Sequence, residues 1–89
     1  MNELATLLNS LDLLSPELRK TGKVESENFF AIRRGIVADR GGEIDKRKAA
    51  IKELTTCRAM AQHADFSVAE EALLENVVSD ATACSASIP

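Results

Sequence analysis

Phe30, Val37, Ile44 and Ile51 recur every seven residues along SENFFAIRRGIVADRGGEIDKRKAAIKELTTCRAMAQHA, the stretch 26–64. Phe29, Ile32, Ile36 and Leu54 widen the same apolar stripe. Residues three, four and seven apart share one face of a helix, so this pattern demands helical packing. The rest of the chain offers no strand alternation, internal repeat or low-complexity block. The fold class is therefore all-α: a small bundle of three to four helices, with a long central helix or a helical hairpin across residues 26–64.

Gly41-Gly42 decides between those two forms. Each glycine in a helix interior costs about 1 kcal/mol relative to alanine, and glycine suits a helix C-terminus. Glu43 and Asp45 then fall in the first turn of a new helix, where its dipole favours negative charge. The unbroken seven-residue phase argues for one bent helix instead. We expect two helices broken at Gly41-Gly42, the second running to Gln62 or His63, with Ser26 as the cap of the first.

Before this stretch, Leu4, Leu7, Leu11, Leu14 and Leu18 alternate at spacings of three and four. That is the seam pattern of a coiled coil, although two heptads are too short to be stable alone. The five leucines either face the core of their own chain or form a dimerisation or docking surface, and they are the candidate partner-binding residues. Ser15-Pro16 is expected to interrupt this helix, because the residue before proline avoids helical angles. Residues 18–25 read as a connection. After the central stretch, Ser67-Val68-Ala69-Glu70 has the form of a capping box, in which serine and glutamate satisfy each other's backbone N–H groups. Ala69, Leu73, Val77 and Ala81, with Leu74 and Val78, then give one apolar face. The expected domain is a single one over residues 1–84, followed by a flexible tail at 85–89.

Charge is unevenly spread. Residues 31–58 hold 8 basic and 4 acidic side chains, whereas residues 59–89 hold 5 acids and no Lys or Arg. A basic middle can be a nucleic-acid face, with Arg33, Arg34, Arg40, Lys46, Arg47, Lys48 and Lys52 as its candidate residues. It can equally be neutralised by the neighbouring acidic helix. If the segments before and after residue 65 form an antiparallel hairpin, Arg58 meets Glu71 and Glu75. The net charge of −3 and the acids Asp39, Glu43, Asp45 and Glu53 interleaved in the basic run favour neutralisation. The Gly41-Gly42 break resembles the turn of a helix-turn-helix only weakly, with no Asn or Gln reader at the start of the second helix.

Chemical constellations are missing. Cys57, His63 and Cys84 lack the spacing of a zinc site, so neither a metal nor another cofactor is expected. Six residues on a continuous helix would also rotate Cys57 away from His63, which argues against a nucleophile pair. No phosphate-binding glycine loop is present, and Glu70-Glu71 is explained by its place at a helix start. An enzyme is not expected. The N-terminus lacks a positive secretory start, and no stretch reaches the ~18 apolar residues of a membrane span, so a cytoplasmic location is expected. The hairpin geometry keeps Cys57 and Cys84 too far apart to bridge, and Cys84, near the end, should be the more reactive thiol. The reading is a non-enzymatic helical module that binds a protein partner, itself included as a homodimer, with nucleic-acid binding as the alternative.

Overall fold

In a computed structural model, which describes residues 3–39 and 41–87, the chain forms α1 (Glu3–Lys20), α2 (Val24–Ala38), α3 (Ile44–Thr55), α4 (Ala59–His63) and α5 (Val68–Ser87), with no strand among the described residues. The all-α class stands, but five helices take the place of three to four. The extra one arises because the helix expected to run from Gly42 to His63 is cut at Thr55. There the Thr55 hydroxyl donates to the Lys52 carbonyl at 2.6 Å, Thr56 to Glu53 at 3.2 Å, and the Cys57 thiol to Leu54 at 3.2 Å. Three successive side chains thus compete for the carbonyls that the next turn would use, and the helix yields.

The four longer helices form a ring of neighbours: α1 packs on α2, α2 on α3, α3 on α5, and α5 back on α1. Side-chain pairs fix their directions. Arg19–Glu27 at 2.7 Å and Arg34–Asp12 at 2.5 Å run α1 and α2 antiparallel. Ser10 donates to Asp80 and Thr21 to Glu70, which makes α5 antiparallel to α1. The expected hairpin about residue 65 forms as well: Arg58 meets Glu75 with two contacts of 3.0 Å.

The leucine seam is the centre of this ring. Leu7, Leu11, Leu14 and Leu18 are fully buried, and Leu4 packs half-buried against them. Those four leucines pack within their own chain, so a partner-binding surface built on them would require the bundle to open. Four Leu side chains at this spacing find α2 and α5 within reach and need no second copy. The same burial explains why Pro16 does not end the helix. A proline in a helix interior costs about 3 kcal/mol, whereas full burial of Leu14 and Leu18 gains ~1.5–3 kcal/mol each. Pro16 itself lies exposed inside α1.

The connection between α1 and α2 is much shorter than residues 18–25. Gly22 adopts φ +72°, Lys23 N–H donates to the Leu18 carbonyl at 3.0 Å, and Gly22 N–H to Arg19 at 3.1 Å. This is a Schellman ending, for which the left-handed residue is usually glycine. Lys23 then precedes α2, and Ser26, expected as its cap, is instead buried within it.

Gly41-Gly42 does separate α2 from α3. A side chain at Gly42 would place its Cβ 2.9 Å from an Asp39 carboxylate oxygen, so a larger residue there would make the Asp39 side chain swing aside. The seven-residue phase is lost across this turn: Phe30, Val37 and Ile51 are buried, but Ile44 is 56% exposed. At the C-terminus, where a tail is expected from Ser85, α5 remains helical through Ser87, and positions 88–89 lie outside the described residues.

Candidate functional site

The capping box forms at the start of α5. Ser67 N–H donates to Glu70 Oε1 at 2.8 Å, and Glu70 N–H donates to Ser67 Oγ at 3.2 Å. Glu70 does more than cap. It is 1% exposed, accepts the Thr21 hydroxyl at 2.6 Å and pairs with Lys23 Nζ at 3.0 Å. One carboxylate therefore ties the α1–α2 turn to the head of α5. Burial alone would raise its pKa, but the Ser67 N–H, the Thr21 hydroxyl and the Lys23 ammonium outweigh it, and the pKa falls to about 2. Glu70 is ionised at neutral pH, and this junction is structural.

The basic candidates do not converge on one free strip. Arg33 stacks 3.8 Å from the Phe29 ring centre and pairs with Glu53 at 2.5 Å. Arg34 is held in a two-pronged contact by Asp12, and Arg47 donates to the Asp39 carbonyl. Lys46, Lys48 and Lys52 are exposed on α3, and Arg40 lies outside the described residues.

Two open grooves flank α4. The first, of about 420 Å³, lies between α4 and α5, with Arg58, Ala61, Gln62, Val68, Leu74 and Glu75 among its walls. The second, of about 440 Å³, is lined by Phe29 of α2, Glu53 of α3, and Thr56, Cys57, Met60 and His63. Phe29 also meets Phe30 edge to face at 5.0 Å, which anchors its ring to the core while its rim borders the groove. Ile32, one turn on from Phe29 along α2, is 58% exposed.

The break at Thr55 brings Cys57 and His63 to one groove, which a continuous helix would not do. The pairing still lacks an activated nucleophile. Burial pushes the Cys57 thiol up to about 11, and the nearby Arg33 and Arg58 only partly offset this, so the thiol is protonated at neutral pH. Cys57 and Cys84 are both free and both buried. Cys84 is 4% exposed against 7% for Cys57, so its position near the end of the chain does not make it the accessible thiol. Burial raises its pKa as well. Among the described residues, no three His, Cys, Asp or Glu side chains cluster to hold a metal ion, and no helix is long and apolar enough to cross a membrane.

The second groove escaped the sequence because it depends on where α3 stops. Glu70 was more accessible to inspection. It occupies the same spacing of three and four as Leu74, Val77, Ala81 and Cys84, the buried face of α5, so a charged residue heads an apolar stripe. No family model, curated protein or solved structure matches this chain.

Proposed function

We propose that the protein is a non-enzymatic helical interaction module, an adaptor, inhibitor or regulatory subunit, that self-associates through the groove between α2 and α4. The observation that carries this reading is the groove itself: Phe29, Cys57 and Met60 give it apolar walls, and Ile32, one turn on from Phe29 along α2, is an exposed apolar side chain on the same helix. An amphipathic helix fits such a groove by laying its apolar face along it, with affinity coming from a few central anchors. The exposed and half-buried helical surface of a second copy can supply that face. Because the leucine seam is internal, the interaction does not require it to open.

Light scattering across a concentration series tests the reading. The unmodified protein should give the mass of a dimer, and Ile32→Glu or Met60→Glu should give a monomer with unchanged helical circular dichroism. A monomer at all concentrations for the unmodified protein would remove self-association. Salt-sensitive retention on heparin, abolished by neutralising Lys46, Lys48 and Lys52, would favour the nucleic-acid alternative.

A further inference from the structure

The geometry points to α4 as a strap that opens locally, without unfolding of the bundle, and uncovers the core edge at Cys57. Four features of the segment 56–66 support it. First, none of the five residues of α4 is buried, although the neighbouring Cys57 and Phe66 are. Second, the hydrogen bonds described for its backbone are local: Met60 to Cys57, Ala61 to Arg58, Ala64 to Met60 and Phe66 to Ala61, at 2.8–3.1 Å. They add nothing that binds the segment to the ring of longer helices, from whose principal contacts α4 is absent.

Third, both ends are hinges. The upstream end is the Thr55–Cys57 break described above. The downstream end turns through Asp65 at φ 59°, a left-handed position that a side chain normally avoids, although aspartate tolerates it better than most. Fourth, the two grooves lie on opposite sides of α4. Ala61 and Gln62 border one and Met60 and His63 the other, so the strap is undercut from both directions. Among the described contacts, what fastens it is the half-buried Met60, Ala61 and Ala64, the Phe66 ring at 8% exposure, the exposed Arg58–Glu75 pair and, at the upstream hinge, the buried Cys57 with its bond to the Leu54 carbonyl. Lifting it joins the grooves and exposes Cys57, while Cys84, inside α5, stays covered. Local opening of this kind is a general property of segments with few buried apolar contacts.

The two thiols are internal reporters of the opening. Single-thiol proteins, Cys84→Ala and Cys57→Ala, are labelled with a thiol reagent across sub-denaturing urea. Cys84 reacts only from opened states, whereas Cys57 borders the open groove at 7% exposure, so its labelling counts for the strap only together with the hydrogen exchange of Met60–Ala64. Cys57 should label at least tenfold faster than Cys84, with a nearly flat urea dependence, because little surface is exposed. Cys84 should follow the steep dependence of global unfolding. Equal rates with equal slopes would overturn the proposal, since α4 would then open only with the whole bundle. Faster labelling of Cys84 would overturn it too, by making the end of α5 the weak point. Hydrogen exchange on the unmodified protein decides the matter independently of the substitutions. Amides of Met60–Ala64 should be at least tenfold less protected than those of Ile51–Leu54, and equal protection refutes the strap.

Discussion

Replacing Glu70 by glutamine keeps the shape of the junction between the α1–α2 turn and α5 but removes its charge. The magnitude follows from the ionisation. A carboxylate ordinarily titrates near 4.5, and Glu70 is held at about 2. That difference corresponds to about 3 kcal/mol of folding stability at neutral pH. Because the folded-state value is the lower one, the contribution is fully present above about pH 5. It is lost as pH falls towards 2, with about 1.5 kcal/mol remaining at pH 3. For a chain this short, whose total stability is on the order of 5–10 kcal/mol, the loss is large. Urea denaturation followed by circular dichroism should therefore show Glu70→Gln destabilised by about 2–3 kcal/mol at pH 7. The gap from the unmodified protein should narrow on going to pH 3. Lys23→Ala should cost less, about 1–2 kcal/mol, because the Ser67 N–H and the Thr21 hydroxyl still hold the carboxylate. A Glu70→Gln protein as stable as the original at pH 7, or a gap independent of pH, would refute the assignment of Glu70 as an ionised clasp.

Leu11→Ala empties a fully buried position and should destabilise the fold by about 2–5 kcal/mol, read from the shift of the urea midpoint at unchanged slope. A change in solution mass with no loss of stability would instead restore the leucine seam as an intermolecular surface. A double-mutant cycle on Arg58 and Glu75 should return a coupling of only about 0.2–1 kcal/mol, shrinking with added salt, because both side chains are more than half exposed.

Local chemistry made part of this structure readable. Ser67 and Glu70 form their box because the motif is complete within four residues, and Gly41-Gly42 breaks the helix because no neighbouring element contributes enough packing to override it. Arg58 finds Glu75 because a hairpin fixes their relative level once its turn is located. The failures arise where tertiary packing or competition decides. Pro16 should end a helix by its own preference, but Leu14 and Leu18 on either side are both fully buried, and their packing carries the helix through. Thr55, Thr56 and Cys57 look unremarkable one at a time, and only together do their side chains take up the carbonyls of the preceding turn. The candidate groove inherits that uncertainty, since Cys57, Met60 and His63 share it only when α3 stops short. The leucine seam was ambiguous in principle, because the same spacing serves a core and an interface alike.

The antiparallel pairing of α1 with α5 has a topological consequence. Ser10 sits opposite Asp80 and Thr21 opposite Glu70, so Glu3 and Ser87 lie at the same end of the bundle. The path through the four longer helices is thus nearly a closed circuit, open only at that end. A chain of this kind has no privileged starting point: a short flexible linker across the gap, with new ends cut at the exposed Gly41-Gly42 turn, preserves every helix pairing in the ring. What such a permutation changes is order of synthesis. In the natural order α2, α3 and α4 are made between α1 and α5, whereas in the permuted order α5 and α1 are consecutive, and the Ser10–Asp80 contact, 70 residues apart in the natural order, closes across a much shorter loop.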